Sequence, residues 1–305
     1  MRIVSLLPAA TEICCALGLE DNLVGVSPEC DHPPAVVGKR IVSRGLLQHD
    51  GKSSGETSRI VGERLASGGA LYQVDEHALR STEPDLILTQ GLCEVCAPTL
   101  GDVEEVAARL SHPPEILSLD PHTLADVLID IERVGRLCGV EEVARMVVES
   151  LRTRIDRVAM RALEVGSHPE TVCLEWLDPL FLAGHWVPEM VTLAGGHAAL
   201  LKPGEPSRRV DGRDISTAAP DVAVLMPCGF NNERTRREAS LVTRAPWWTD
   251  LPAARLNRVW TVDGSSYFNR PGPRLVEGLE ILGHILHPKL FPSPPSPKDA
   301  LPWVG

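Results

Sequence analysis

The sequence lacks a hydrophobic run long enough to cross a membrane. None of its apolar stretches approaches the roughly 18 residues that span a bilayer, so we do not expect a membrane-inserted protein. The amino terminus also lacks the plan of a secretory signal, because Pro8 and a helical pattern follow Met1 too soon. The sequence therefore predicts a cytoplasmic protein, although a periplasmic chain from which a signal had been removed would look the same.

Positive charge is in the minority. The chain has 30 Lys and Arg against 41 Asp and Glu, which gives a formal net charge of -11. A polyanion would be repelled by such a protein, and the basic runs Arg208-Arg209 and residues 234–237 are short. Nucleic acid is therefore not an expected partner.

Cysteine is too sparse to build a disulfide scaffold, with 8 residues in a chain of 305. Half of the cysteines fall within apolar periodic segments, where cysteine usually packs as a small hydrophobic residue: Cys14, Cys15, Cys138 and Cys173. The others fall at strand ends or in loops: Cys30, Cys93, Cys96 and Cys228. Only the second group deserves a functional hypothesis.

What the sequence does contain is a repeated order of buried strand, loop and helix. The segment Pro84-Asp85-Leu86-Ile87-Leu88-Thr89 is echoed by Pro220-Asp221-Val222-Ala223-Val224-Leu225, and each leads into a loop. Ligands of open parallel sheets bind at such strand ends. With 43% hydrophobic and 23% charged residues, the chain is long enough for two α/β lobes with separate cores.

Between the two halves, residues 123–163 repeat apolar positions at helical spacing. This pattern predicts one long helix that links two lobes, with a break near Gly139 as the alternative. We accordingly expect an N-terminal lobe over 1–121, a linking helix over 122–166, a C-terminal lobe over 167–287 and a Pro-rich tail over 288–305. The tail should have little helical or strand capacity.

Several short motifs occur in a fixed order: Ser5-Leu6-Leu7-Pro8-Ala9-Ala10-Thr11-Glu12, Asp31-His32-Pro33-Pro34, Pro84-Asp85-Leu86-Ile87, Leu193-Ala194-Gly195-Gly196, Pro220-Asp221 and Tyr267-Phe268-Asn269-Arg270-Pro271-Gly272-Pro273-Arg274. As a set they resemble the class III substrate-binding proteins of ABC transporters, most closely the vitamin B12-binding branch. The resemblance implies two Rossmann-like lobes joined by a long backbone helix, with the ligand in a cleft between the lobes. It also implies a small-molecule metal chelate as ligand, cobalamin or a related corrinoid in the first place, and a transporter permease as partner.

The same resemblance implies which residues contact the ligand. Carried over by position, they are Pro8, His32, Gln90, Trp176, His185, Trp186, Cys228, Tyr267, Phe268 and Arg270. His32 and Gln90 depart from the pattern, since the B12-binding branch tends to carry aromatic residues there. For His185-Trp186 the alternative is a packed histidine beside a buried indole, and for Arg270 it is a structural salt bridge. Trp247-Trp248 is expected to anchor a core or the junction between the lobes, with a platform for the ligand as the alternative.

Cys30, His32, Cys93 and Cys96 lie outside that pattern and form a candidate metal site. Thiolates and imidazole suit zinc or another soft metal, or the cobalt of a corrinoid. A redox dithiol and inert loop thiols are the alternatives.

No catalytic residue is predicted, because Glu12, Asp31 and Asp178 show no nucleophile–base–orienter spacing. We expect a binding protein that does not transform its ligand. The runner-up is a cytoplasmic metal-dependent or thiol-redox enzyme that uses the cluster of Cys30, His32, Cys93 and Cys96. An intracellular sensor or carrier is the third hypothesis.

Overall fold

The computed structural model describes residues 1–47, 51–91 and 97–303. The chain divides into two compact units. Unit 1 consists of Met1–Lys52, Arg59–Pro121 and Asp126–Glu149, and unit 2 of Ser53–Ser58, His122–Ala125 and Ser150–Gly305.

Unit 1 is built on a four-stranded parallel sheet. The strands of this unit are β1 (Ile3–Ser5), β2 (Leu23–Val26), β3 (Ser43–Gly45), β4 (Tyr72–Val74), β5 (Leu86–Thr89) and β6 (Glu115–Ser118). The sheet has the order β2-β1-β5-β6, and β3 and β4 form a separate antiparallel pair. Every residue of β1 and β5 is buried, which is why these strands read as continuous apolar runs in the sequence.

The helices of the first half are α1 (Pro8–Ala16), α2 (Ser54–Ala66), α3 (Glu76–Thr82), α4 (Leu100–Ala108), α5 (Leu124–Leu137) and α6 (Glu141–Ala162). Their ends follow local chemistry. Proline occupies the first turn of α1, and Gly18 follows this helix with a φ of +72°, a value that glycine adopts without a steric cost. Thr99 caps α4 by accepting a hydrogen bond of 3.2 Å from the N–H of Asp102.

The expected long helix over 122–166 is broken in the structure. Helix α5 ends at Leu137 and α6 begins at Glu141, with Gly139 between them at a φ of +70°. The alternative, a break near Gly139, is therefore what the structure has. The boundary between the units falls inside α2, α5 and α6.

Unit 2 has a larger mixed sheet. Its strands are β7 (Glu170–Leu177), β8 (Leu180–Leu182), β9 (His197–Ala198), β10 (Arg208–Arg209), β11 (Val222–Leu225), β12 (Val259–Val262) and β13 (Ala300–Pro302). They follow the order β10-β8-β7-β11-β12-β13, and β9 also pairs with β7. The centre, β7-β11-β12, is parallel, whereas β8, β10 and β13 run antiparallel to their neighbours.

The helices of unit 2 that follow α6 are α7 (Val187–Leu193), α8 (Gly212–Ala218), α9 (Asn232–Glu238), α10 (Ser240–Thr243), α11 (Pro252–Arg255), α12 (Gly264–Tyr267) and α13 (Leu275–Leu286). One core cluster joins Val172 and Leu174 of β7 to Ile215 of α8 and to Trp248. The prediction that Trp248 anchors a core is thereby confirmed. In the described part of the chain no helix combines the length and the apolar character needed to cross a bilayer.

The Pro-rich tail differs from expectation. Instead of lacking strand structure, it forms β13, which pairs with β12, and the N–H of Trp303 donates to the carbonyl of Val259 at 2.8 Å. Arg236 donates to the Pro302 carbonyl at 3.1 Å and lies 5.3 Å from the centre of the Trp303 ring. The free edge of β12 supplies the pairing that the tail sequence itself does not encode.

Candidate ligand-binding site

The carboxyl ends of β7 and β11 meet at one edge of the unit 2 sheet. The N–H of Cys228, just after β11, donates to the carbonyl of Glu175 in β7 at 2.9 Å. Beside this bond the rings of Trp176 and Phe230 form an edge-to-face pair with centroids 5.3 Å apart. The guanidinium of Arg234 lies 3.7 Å from the centre of the Phe230 ring. The edge thus presents the half-buried Trp176, supported by the buried Phe230 and by Arg234, in the place where open parallel sheets bind ligands.

A second part of this site is the loop between β8 and α7. His185 has a φ of +56°, a left-handed conformation that a residue with a side chain adopts only at a cost of about 1–3 kcal/mol. Two hydrogen bonds hold it there: its N–H donates to the carbonyl of Glu205 at 2.6 Å, and its carbonyl accepts from the N–H of Gly204 at 2.9 Å. The backbone therefore fixes the direction in which the half-buried His185 side chain leaves the chain.

His122 lies next to this imidazole. The centroids of the His122 and His185 rings are 5.6 Å apart, with an angle of 44° between the ring planes. Burial lowers the pKa of His185, and the neighbouring His122 lowers it further. The His185 ring is consequently neutral at neutral pH, the state in which imidazole acts as a metal ligand or a hydrogen-bond acceptor.

Trp186 and Phe268 were predicted to line a cleft, and the structure corrects both predictions. Phe268 is 0% exposed and Trp186 only 6% exposed, so neither ring can meet a ligand without unpacking. The indole N–H of Trp186 donates to the Phe268 carbonyl at 2.8 Å, which satisfies the polar group of a buried indole. For Trp186 the alternative, a buried indole beside the histidine, is correct.

A half-buried acid, Glu175, is hydrogen-bonded to a residue that contacts the same loop. The register between β7 and β8 shifts between Leu174 and Trp176, so Glu175 lies in a β-bulge. Burial raises the pKa of Glu175 to about 7, while a hydrogen bond from Ser207 opposes the rise. The Ser207 hydroxyl also accepts a hydrogen bond of 3.1 Å from the N–H of Gly184.

The other predicted residues of unit 2 are half-buried. Cys228 lies at the end of β11, the Tyr267 hydroxyl donates to Asp299 at 3.3 Å, and Arg270 donates to the Ser265 hydroxyl at 3.2 Å. Burial is the main cause that raises the pKa of Tyr267. Their part in binding a ligand stays a prediction.

In unit 1 the predicted residues lie on separate elements. Pro8 begins α1, Gln90 is buried directly after β5, and His32 is half-buried in the loop after β2. A ligand role for these three residues likewise stays a prediction.

The predicted metal site of Cys30, His32, Cys93 and Cys96 is only partly described, because Cys93 and Cys96 lie outside the described residues. Cys30 is buried, accepts a hydrogen bond of 3.0 Å from the Thr11 hydroxyl and lies 3.3 Å from the Ser27 hydroxyl oxygen. Burial raises the pKa of the Cys30 thiol and so disfavours the thiolate that a metal needs. Over residues 1–47, 51–91 and 97–303, no group of three or more His, Cys, Asp or Glu could hold a metal ion.

Two candidate site residues, His122 and Glu175, were missed in the sequence. Both had a signal. His122 comes four residues after the end of β6, in the loop that follows this strand, and Glu175 is the single charged residue within the run Thr171-Val172-Cys173-Leu174-Glu175-Trp176-Leu177. A charge in an otherwise apolar central strand indicates a special role.

Comparison with known proteins gives a consistent result. The family model described as periplasmic binding protein matches residues 3–265. A Bacillus subtilis protein described as an uncharacterized ABC transporter substrate-binding lipoprotein is 23% identical over 296 residues, which cover 95% of this chain and 81% of that protein. The vitamin B12-binding protein of Vibrio cholerae is 23% identical over 282 residues, which cover 92% of this chain and 86% of that protein.

A solved structure shares the fold. The crystal structure of a periplasmic heme-binding protein from Pseudomonas aeruginosa superposes with a TM-score of 0.71 at 20% identity, covering 98% of this chain and 96% of that one. The predicted α/β fold is thereby confirmed.

Proposed function

The chain belongs to the periplasmic binding protein family, a family of non-catalytic ligand binders that serve transporters, and on this premise we propose that it binds a metal chelate. A corrinoid is the first candidate, because the Vibrio cholerae relative is described as a vitamin B12-binding protein. Heme is the second, because of the Pseudomonas aeruginosa protein with the same fold. The enzyme hypothesis based on Cys30, His32, Cys93 and Cys96 has no support.

The observation that carries this proposal is the presentation of His185. The strained left-handed backbone and its two hydrogen bonds set the direction of one imidazole at the end of a strand-end loop. Strain of this kind persists where the surrounding structure enforces it, and it concentrates at ligand sites. An imidazole with a lowered pKa is a suitable ligand for the metal of a chelate.

The aromatic pair Trp176–Phe230 supports the same proposal. Large, flat organic ligands gain affinity from contact with aromatic rings, and the half-buried Trp176, which packs on the buried Phe230, can offer such a contact. This part of the surface belongs to unit 2 alone.

We further propose an ABC transporter permease as partner, as the description of the Bacillus subtilis relative suggests. Co-purification of the chain with a candidate permease in detergent, with and without ligand, tests this proposal. The localisation of the protein, cytoplasmic or periplasmic, stays a prediction.

A thermal-shift screen combined with visible absorption tests the ligand proposal. The protein is incubated with aquocobalamin, cobinamide or haemin, and unfolding is followed by fluorescence or circular dichroism. A ligand at a hundredfold excess over its Kd stabilises the native state by about 2.7 kcal/mol. We expect a rise in Tm with at least one chelate and a shift of its visible bands that His185→Ala abolishes.

The control variant is His197→Ala, because His197 is an exposed histidine of the same unit that pairs with Glu170 at 3.0 Å. It should bind as the wild type does. Absence of any shift with all three chelates would refute the corrinoid and heme candidates.

A further inference from the structure

His122 and His185 are two imidazoles at close range on a single unit of the protein. We propose that they bind one transition-metal ion together, and that the ligand of this protein is accordingly a chelate whose metal keeps two adjacent coordination positions open. This inference rests on the proposed binding of a metal chelate, and within that class it favours an open chelator over the corrinoid and the heme. It assigns a direct role to His122.

The distance between the rings fits a shared metal. A metal bonded to one nitrogen of each ring at about 2 Å, in a tetrahedral or octahedral arrangement, holds the two ring centroids roughly 5 Å apart. The observed separation is 5.6 Å. Since His122 is exposed, a small rotation of its side chain would close the difference.

The pair supplies two ligands, and the chelator must supply the rest. Within the described ranges no third His, Cys, Asp or Glu completes a metal-binding group with them. A bare ion held by two imidazoles alone would keep most of its positions filled with water. A metal that arrives inside a chelator fills the remaining positions, so two protein ligands suffice.

The contacts between the segment that carries His122 and the loop that carries His185 determine which kind of chelate fits. The N–H of Leu124 donates to Oε2 of Glu189 at 2.8 Å, which ties the segment of His122 to helix α7 next to His185. A side-chain carbon placed on Gly204 would lie 3.8 Å from Cγ2 of Thr123, so the same segment also approaches the loop that bonds His185. The segments that carry the two imidazoles are therefore close neighbours.

A planar macrocycle between the two rings would hold their centroids about 6 Å or more apart, farther than the 5.6 Å observed. Corrinoids and heme occupy the four positions around the metal in one plane and leave only the two on opposite faces. Ligation by both histidines would require the macrocycle to lie between them. The pair thus fits adjacent positions, which an open, non-planar chelator leaves free, and a macrocycle would be ligated by one ring only.

Two nickel complexes distinguish these cases. Nitrilotriacetate leaves two adjacent positions of Ni²⁺ open, whereas EDTA can close all of them. Calorimetry on the untagged full chain should detect one Ni²⁺–nitrilotriacetate bound per protein and no binding of Ni²⁺–EDTA. We expect His122→Ala and His185→Ala each to weaken binding at least tenfold, and His197→Ala to leave it unchanged.

A second measurement does not depend on the folding of a variant. Paramagnetic Ni²⁺–nitrilotriacetate should broaden the imidazole proton signals of both His122 and His185 in the NMR spectrum of the wild-type protein, while the signals of His197 stay sharp. Broadening of one ring only, or wild-type affinity in His122→Ala, would overturn the inference.

These experiments distinguish failure of this inference from failure of the proposed function. Binding of aquocobalamin or haemin that His122→Ala leaves intact, with no binding of Ni²⁺–nitrilotriacetate, would keep the proposed function and overturn the inference. Binding of Ni²⁺–nitrilotriacetate through both rings, with no binding of either macrocycle, would support the inference and remove the macrocycles as ligands. Failure to bind any of the three complexes would overturn both.

Discussion

The hydroxyl of Ser207 accepts a hydrogen bond of 3.1 Å from the N–H of Gly184, and the same hydroxyl bonds the side chain of Glu175. Ser207 thus connects a half-buried acid of strand β7 to the loop that carries His185. The backbone of residues 205–207 packs directly on Gly184, with no room for a side chain there.

Gly184→Ala should therefore damage both stability and binding. Its methyl group would overlap the backbone of Pro206 and Ser207, and backbone cannot move aside as a flexible side chain does. We expect a loss of about 2–4 kcal/mol in the free energy of unfolding, measured by urea denaturation.

Gly62→Ala is the matched control, because Gly62 lies in α2 with nothing within 4 Å of an added Cβ. It should stabilise the protein by up to about 1 kcal/mol, the usual gain for alanine over glycine in a helix. Equal effects of the two substitutions would show that the loop tolerates a side chain at position 184.

Glu175→Gln should change how stability depends on pH. The pKa of Glu175 is raised to about 7 in the folded protein, whereas an unfolded glutamate releases its proton near 4.5. Between these values the folded state binds the proton and the unfolded state does not, so the stability of the wild type falls as pH rises through this window. The variant lacks this dependence.

We therefore expect Glu175→Gln to be more stable than the wild type at pH 8 by up to about 3 kcal/mol, with the difference shrinking towards pH 4.5. Urea denaturation at a series of pH values measures it, with the exposed Glu104→Gln as control. A difference that does not vary with pH would mean that Glu175 is ionised in the folded protein.

Arg154 on α6 and Glu280 on α13 form a two-pronged ion pair, with Nε–Oε1 and Nη2–Oε2 distances of 3.0 and 2.7 Å. The two side chains are only 28% and 21% exposed. Bidentate pairs that are shielded from water are stronger than exposed ones, so Arg154→Ala should cost about 1–2 kcal/mol of stability.

Arg145→Ala provides the comparison, since Arg145 pairs with Glu142 on the surface of α6, where the side chains are 66% and 70% exposed. That substitution should change the free energy of unfolding by less than about 0.5 kcal/mol. The prediction fails if both variants lose the same stability in thermal or urea unfolding.

Trp186→Phe separates a structural role from ligand contact. The variant keeps an aromatic ring but loses the N–H that satisfies the buried carbonyl of Phe268. A cost of about 1–3 kcal/mol is expected in urea denaturation, because an unsatisfied buried acceptor loses its solvation. Binding of any chelate found by the thermal-shift screen should be unchanged, and a large loss of affinity without loss of stability would restore Trp186 to the ligand surface.

The sequence predicted the parallel strands well, because a strand that is buried on both faces is a continuous run of apolar residues. Residues 86–89 and 222–225 are apolar runs that follow a Pro-Asp pair, and both form central strands. Helix ends were equally readable, as Pro8 and Gly18 show for α1. The short strands β8 and β10 could not be predicted in this way, because two or three residues are too few to show a hydrophobic pattern. These strands form by pairing with the neighbouring strand.

For the candidate site, too, some features could be predicted from the sequence and others could not. The sequence alone determined the family resemblance, the strand-end position of His185 and the absence of a membrane-spanning run, since each depends on residues close together in the chain. Only the tertiary structure placed His122 beside His185. It also placed Glu175 in a bulge where it bonds Ser207, and it packed Trp186 and Phe268 in the core. These relationships join residues far apart in sequence, and the packing that selects them is non-local, so no local pattern can encode them.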